Sequence, residues 1–176
     1  MNISKLFNMK KNEKEEKITS RINDVLKKVI YRRKRLGLSQ TDIANELEMT
    51  KSGYFKMETG KTKLDIRRLL ELSEVLKVEL EYFLKEWNSQ SIKKWKKWKM
   101  KKKSNAKSNY LTILKKIIAS RSHRNITQIT AAKHINIGES GYFKIEKGKT
   151  KLDIERLFEI LELLEVSPED FFKGIK

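Results

Sequence analysis

The sequence predicts an all-α protein of two tandem five-helix units joined by a basic linker. Only one Pro and seven Gly occur in 176 residues, which argues against a loop-rich β protein. Apolar residues recur at helical spacing through most of the chain. The stretch SGYFKMETGKTKLDI at residues 52–66 returns as SGYFKIEKGKTKLDI at residues 140–154, an offset of 88.

The repeat is much longer than these two stretches. At the same offset, residues 21–88 align with residues 109–176 without a gap, and 29 of the 68 aligned positions are identical. We therefore divide the chain into a flexible N-terminal arm (1–20), a first unit (21–88), a linker (89–108) and a second unit (109–176).

Each unit reads as five short amphipathic helices separated by cap and stop signals. In the first unit, the first helix should end near Gly37, and Ser39 and Thr50 are the predicted N-caps of the second and third helices. Gly60 suits the left-handed position that ends the third helix, and a fourth helix should begin near Asp65. The second unit repeats this pattern.

Composition argues against several functional classes. The chain has no Cys, which excludes disulfides, a thiol nucleophile and zinc sites built on thiolates. With two His residues and no catalytic constellation, we expect no metal, no other cofactor and no enzymatic activity. No apolar run approaches the ~20 residues of a membrane helix, so a membrane is not an expected partner.

The charge balance points to a polyanionic partner. Lys and Arg number 41 against 23 Asp and Glu, giving a formal net charge of +18. Half of this excess comes from the linker, which has nine Lys and no acidic residue. Three interpretations of the linker stay open: a basic strap on phosphates with Trp95 and Trp98 packed on a unit, a solvated tether, or a membrane-surface helix.

Two short segments with a tight turn between them, Gln40–Leu47 and Thr50–Glu58, form a predicted helix-turn-helix. The string LSQTDIANELEMTKSGYFKMETGKTK resembles the phage-repressor (Cro/C1-type, XRE) helix-turn-helix family, on its G-L-S-Q entry, its inward Ala44 and its K-M-E-x-G-K-T-K ending. The second unit has the altered entry N-I-T-Q but keeps K-I-E-K-G-K-T-K. The resemblance implies two lambda-repressor-like domains and binding to double-stranded DNA.

The outward N-terminal positions of the third helix in each unit are the candidates for reading bases. The resemblance implies base contacts from the following residues: Lys51, Ser52, Lys56, Glu139, Ser140 and Lys144. Lys51 and Glu139 occupy the same position of the two units. Lys prefers the O6 and N7 acceptors of guanine, whereas Glu can only accept, for example from cytosine N4. The two units should therefore prefer different half-sites.

Further residues are implied to hold the DNA backbone or the fold. Those expected at phosphates are Gln40, Thr59, Lys61, Lys63, Gln128, Lys147, Lys149 and Lys151. Those expected in structural ion pairs are Arg33 with Glu58 and Arg121 with Glu146.

Two aromatic pairs recur in the third helices. Tyr54 and Tyr142 are expected in the core. Phe55 and Phe143 either face outward, where a ring can touch a thymine methyl group, or pack on the fifth helix.

The predicted function is sequence-specific recognition of double-stranded DNA by a transcriptional regulator, most simply a repressor in the bacterial cytoplasm at the nucleoid. The two linked units would act as a pseudo-dimer, and further pairing into a homodimer stays open. In the alternative, the first unit binds DNA while the second is a protein-interaction module, antitoxin-like or polymerase-contacting. A third interpretation is nonspecific nucleic-acid packaging driven by the linker.

Overall fold

The helices of the first unit end close to the predicted signals, and the second to fourth helices also begin close to them. The computed structural model describes residues 3–85 and 106–175, so the linker interpretations lie outside the described residues. The first unit contains α1 (Ile3–Arg35), α2 (Gln40–Glu46), α3 (Lys51–Glu58), α4 (Ile66–Val75) and α5 (Leu80–Leu84). The second unit contains α6 (Ala106–His123), α7 (Gln128–His134), α8 (Glu139–Glu146), α9 (Ile154–Leu163) and α10 (Pro168–Phe172).

Local hydrogen bonds explain these boundaries. Ser39 caps α2 in a reciprocal capping box with Asp42, and the Thr50 hydroxyl accepts from the Gly53 backbone N–H at 3.0 Å. Gly60 follows α3 with a φ of +73°, a conformation that costs glycine nothing sterically. Asp65 caps α4 through its side chain. The predicted caps and stop are confirmed.

The N-terminal arm differs from the prediction. Residues 3–20, expected as a flexible tail, form the first half of the 33-residue helix α1. No Gly or Pro precedes Gly37, and the segment is rich in Lys and Glu, which favour helices. The side chain of Ile18 is buried, so tertiary packing adds to this local preference.

The two units pack on each other through the loops that follow α3 and α8. The backbone N–H of Ile66 donates to the carbonyl of Leu152 at 2.9 Å, and that of Ile154 donates to the carbonyl of Leu64 at 3.0 Å. These residues exchange under the offset of 88, so the contact is reciprocal. It marks a pseudo-twofold axis between the units, centred on the bridge between Asp65 and Asp153.

Helix contacts repeat the same symmetry. α1 packs on α9, α4 packs on α6, and α5 packs on α10, and the offset of 88 exchanges each of these pairings with its counterpart. Buried side chains of both units merge into one continuous hydrophobic core. The chain thus contains, within one polypeptide, the self-complementary kind of interface found in twofold dimers.

Candidate nucleic-acid interface

Helices α2 and α3 pack as a helix-turn-helix with its inner side closed. Ile43, Ala44 and Leu47 from α2 and the adjoining turn are buried, as is Tyr54 from α3. These contacts fix the angle of α3, and the equivalent contacts fix α8. We call α3 and α8 the reading helices, since each turns its opposite side to solvent.

The solvent-facing side of each reading helix carries the residues predicted to contact bases. All six, Lys51, Ser52, Lys56, Glu139, Ser140 and Lys144, are exposed. Within residues 11–85 and 108–175, no side-chain ion pair engages any of them. Their donors and acceptors are therefore available to a duplex.

Phe55 and Phe143 lie on this same outward side, with exposed fractions of 43% and 42%. Both rings therefore face outward, and neither is packed in the core against the fifth helix of its unit. The Lys61 ammonium lies 5.6 Å from the Phe55 ring centroid, and the Lys147 ammonium lies 5.6 Å from that of Phe143. Each reading helix thus presents an apolar ring beside a cation.

The C-terminal end of α3 is tied to the rest of its unit by Glu58. Arg33 donates from Nε to Glu58 Oε1 at 2.6 Å and from Nη2 to Oε2 at 3.2 Å, in a bidentate pair. Burial alone would raise the pKa of Glu58, but hydrogen bonds from Arg33, Gln40 and Tyr54 outweigh it and leave that pKa below its ordinary value. The carboxylate is therefore held ionised inside the unit.

The second unit repeats this pair. Arg121 Nε donates to Glu146 Oε1 at 2.7 Å, and Nη2 donates to Oε2 at 3.2 Å. The hydrogen bonding with Glu146 raises the pKa of Arg121. Both predicted ion pairs are thus present in the structure, and Tyr54 and Tyr142 are buried beside them as predicted.

Gln40 and Gln128, implied to bond phosphates, each have a partner within the protein. The Nε2 amide of Gln40 donates to Glu58 Oε2 at 2.6 Å, and that of Gln128 donates to Glu146 Oε2 at 2.6 Å. Both side chains are half-buried. In this structure they hold the start of the first helix of the motif against the end of the reading helix.

Three of the residues predicted at phosphates have partners within the protein. The Thr59 hydroxyl donates to the Phe55 carbonyl at 2.7 Å, which uses the proton that a phosphate would need. Lys63 pairs with Glu155 of the second unit, and Lys151 pairs with Asp65 of the first at 3.3 Å. These lysines lie at the junction of the units, and their contacts with phosphates stay a prediction.

Lys61, Lys147 and Lys149 remain exposed just past the reading helices. No ion pair engages any of the three in the part of the chain that the structure describes. Of the lysines predicted at phosphates, these three therefore have their charges available.

The described residues offer little to other kinds of site. In residues 3–85 and 106–175, no group of three or more His, Asp or Glu side chains is arranged to hold a metal ion. None of the helices in these ranges combines the length and apolar character required to cross a bilayer.

Comparison with known proteins agrees with this geometry. Residues 29–83 and 117–171 each match the helix-turn-helix family of the Cro/C1 type, and together they cover more than half of the chain. The chain belongs to the Cro/C1-type helix-turn-helix family. The two matches begin and end 88 residues apart, as the internal repeat does.

One curated relative of this helix-turn-helix protein is the SPbeta prophage-derived uncharacterized HTH-type transcriptional regulator YonR of Bacillus subtilis (strain 168). The two are 39% identical over 54 residues, which cover 31% of this chain and 50% of the relative. The chain thus spans about half the length of that relative. No solved structure matches the chain.

Proposed function

We propose that this helix-turn-helix protein is a sequence-specific double-stranded DNA-binding transcriptional regulator whose two linked units act as a pseudo-dimer. A major groove about 12 Å wide admits one α-helix, and each reading helix offers it an exposed, polar side. Half-sites for paired helix-turn-helix units lie about one helical turn apart on the same side of the duplex.

The observation that carries the proposal is the pseudo-twofold axis between the two reading helices. Each reading helix leads through an equivalent loop to the reciprocal pairing of Leu64 with Ile154 and Ile66 with Leu152. A twofold relation between reading helices matches the twofold symmetry of a palindromic site. One chain therefore supplies what two subunits supply in a dimeric repressor.

Backbone contacts would come from the cations beside the reading helices. Lys61, Lys147 and Lys149 are exposed and have no competing ion pair among the described residues. Such contacts set register and salt dependence and carry little sequence information. The Nε2 amides of Gln40 and Gln128 each use one of their two N–H donors on Glu58 or Glu146, which leaves the second N–H for a phosphate.

Repression is the regulatory outcome we favour, because a protein covering two successive turns of a promoter blocks polymerase sterically. The relative is named as a prophage-derived transcriptional regulator, which supports a phage or mobile-element promoter in a bacterial cytoplasm. The alternative, in which the second unit binds a protein instead of DNA, is weaker because α8 exposes the same Ser, Phe and Lys as α3.

The test is a selection of bound duplexes from a random pool by the full chain, at about 150 mM salt. We expect a pair of half-sites at fixed spacing, bound by one chain per duplex. On the selected site, Lys51→Ala should lower affinity by about 5- to 150-fold, equivalent to about 1–3 kcal/mol for one specific base contact.

The matched control is Lys27→Ala, which removes the same charge from the solvent-facing side of α1. The DNA affinity of this variant should stay within about twofold of that of the original chain, because a surface lysine outside the contact site contributes little to binding. Equal losses in the two variants, or selected duplexes without a shared sequence, would refute sequence-specific reading. Analytical ultracentrifugation of the complex measures the number of bound chains.

A further inference from the structure

We infer that the single chain binds its operator in one fixed orientation, and that the pair Lys51 and Glu139 sets this orientation. The inference rests on the proposed function. A homodimeric repressor presents identical reading helices, so turning it around on a palindrome changes nothing. Here the two reading helices are covalently joined and differ in sequence.

The difference between the two reading surfaces is confined to the first residue of each helix. Ser52, Phe55 and Lys56 of α3 recur on α8 as Ser140, Phe143 and Lys144, and all six are exposed. Lys51 is the first residue of α3, and Glu139 is the first residue of α8. The reversal of charge thus lies at the helix end that enters the groove in helix-turn-helix complexes.

Glu139 also has a structural role at the start of its helix. Thr50 caps α3 with its side chain, whereas Gly138 precedes α8 and makes no side-chain cap bond. A carboxylate in the first helical turn interacts favourably with the helix dipole, and Glu139 partly replaces the missing cap in this way. This role does not require the side chain to face a base, so binding measurements separate the two roles.

Base chemistry gives the orientation its direction. The pseudo-twofold axis brings Lys51 and Glu139 to symmetry-related base pairs of the two half-sites. Lys bonds the O6 and N7 acceptors of guanine, while a carboxylate accepts from cytosine N4. The operator should therefore be a palindrome broken at one pair of related positions, with guanine read in one half and cytosine in the other.

Reversing the chain on this operator creates two mismatches at once. Each mismatched contact costs about a 5- to 150-fold loss of affinity, and separated contacts combine roughly independently. The favoured orientation should therefore exceed the reverse one by about 25-fold or more. A symmetric palindrome would instead bind both orientations equally.

The first arm of the test repeats the selection with substituted full-length chains. Glu139→Lys should select a true palindrome of the half-site that Lys51 reads, and Lys51→Glu should select a true palindrome of the other. The double variant, Lys51→Glu with Glu139→Lys, should return the broken palindrome of the original protein. Unchanged selected sites in all three variants would overturn the inference.

The second arm measures orientation directly and leaves the reading helices intact. The chain contains no Cys, so a single introduced thiol can carry an iron–EDTA cleavage reagent. Thr41→Cys on α2 and Ile129→Cys on α7 are equivalent exposed positions of the two units. On the selected operator, the first should cut one half of the site and the second the other half.

Equal cleavage of both halves by either derivative would show that the chain binds in both orientations and would overturn the inference. This outcome leaves the proposed function standing. Failure of the unsubstituted chain to select any sequence would instead refute the proposed function itself. Thermal unfolding followed by circular dichroism shows whether each variant is folded. If a substituted chain does not fold, its selection result is set aside and the cleavage experiment tests the inference.

Discussion

A single carboxylate joins three helices in each unit. Glu58 accepts hydrogen bonds from Arg33 of α1, Gln40 of α2 and Tyr54 of α3. Glu58 is only 3% exposed. A buried charge is tolerated only when its lone pairs are satisfied, which these three donors accomplish. The orientation of the reading helix therefore depends on a residue that lies inside the unit, away from the reading surface.

We predict that Glu58→Ala lowers the free energy of unfolding by about 3–5 kcal/mol, because it leaves the Arg33 guanidinium buried without its partner. Urea unfolding followed by circular dichroism measures the change. The control is Glu46→Ala on α2, an exposed carboxylate of the same unit, which should change stability by about 0.5 kcal/mol or less. Similar losses in the two variants would show that the pair contributes nothing special.

The same pair makes stability depend on acid pH. Since the pKa of Glu58 is lower in the folded than in the unfolded chain, the stabilisation is complete above the ordinary carboxyl pKa. It is lost as the pH falls through the lower, folded-state value. Conversely, a Glu58→Gln chain should lose less stability than the original protein between neutral pH and about pH 3.

At the scale of the helix, α1 extends beyond its own unit. Its N-terminal half reaches the second unit, where Lys14 Nζ lies 2.9 Å from His134 Nε2 and 3.5 Å from Glu162 Oε2. Lys14 can only donate, so His134 accepts at Nε2 as the neutral imidazole. Burial and the charge of Lys14 lower the pKa of His134, against a smaller opposite effect of Glu162.

We predict that protonation of His134 loosens this contact. Because its pKa is lower in the folded chain, the unfolded chain binds the proton more readily as the pH falls through about 6.5. Stability should therefore decrease on acidification from about pH 7.5 to 5.5, by at most about 1.4 kcal/mol per pH unit for one proton. Paired urea titrations at the two pH values measure it.

His134→Gln isolates this effect from the titration of carboxylates. Its stability should vary less over the same pH range than that of the original chain, because glutamine keeps an acceptor for Lys14 without gaining a charge. Hydrogen exchange at residues 11–20 should also stay slow at the acidic end of that range in this variant. A pH response identical to that of the original chain would contradict the assignment.

Those features of the fold that depend on local interactions can be predicted from the sequence. Ser39, Thr50 and Gly60 mark helix ends through bonds within a few residues, so the sequence alone is enough to assign their roles. The reading helices are likewise identifiable from the motif. The helical arm is not, because its ordering depends in part on Ile18 packing in the core, a tertiary contact that no local pattern reveals.

The contacts at the junction of the two units could not be predicted from the sequence for the same reason, because they are tertiary contacts. Lys63 and Lys151 follow the reading helices in sequence, and that position alone indicates phosphates. The structure turns them to Glu155 and Asp65 across the pseudo-twofold axis, over more than 80 residues of chain. The sequence does contain one signal of this junction. Arg67 of the first unit corresponds to Glu155 of the second, although the surrounding residues are nearly identical.

This difference makes the two units complementary rather than equivalent. Lys63 of the first unit meets Glu155 of the second, whereas two first units paired in the same way would bring Lys63 toward Arg67. Arg67 instead lies over the Tyr110 ring, 4.4 Å from its centroid, and donates to the Gly148 carbonyl at 3.1 Å. The charges at this junction therefore disfavour the pairing of two first units.

For the whole molecule, the distribution of charge separates sequence reading from general attraction to DNA. Half of the net charge of +18 belongs to the nine linker lysines, which lie at positions 93–107 and largely outside the described residues. Charge in such a segment attracts any duplex, because phosphates are the same at every sequence. Under the proposed function, discrimination among sequences comes from the reading helices, whose exposed side chains are predicted to contact base edges.

We therefore predict that replacing all nine linker lysines with Gln lowers affinity for specific and random duplexes by the same factor. The log–log salt slope should become shallower by at most about 8, the value for nine released counterions. Lys51→Ala should instead lower the specific affinity alone and leave the salt slope nearly unchanged. Fluorescence anisotropy titrations at several salt concentrations measure both quantities. If the original chain bound specific and random duplexes equally, Lys51→Ala changed neither affinity and the linker variant lost binding to both, the protein would be a nonspecific packaging factor.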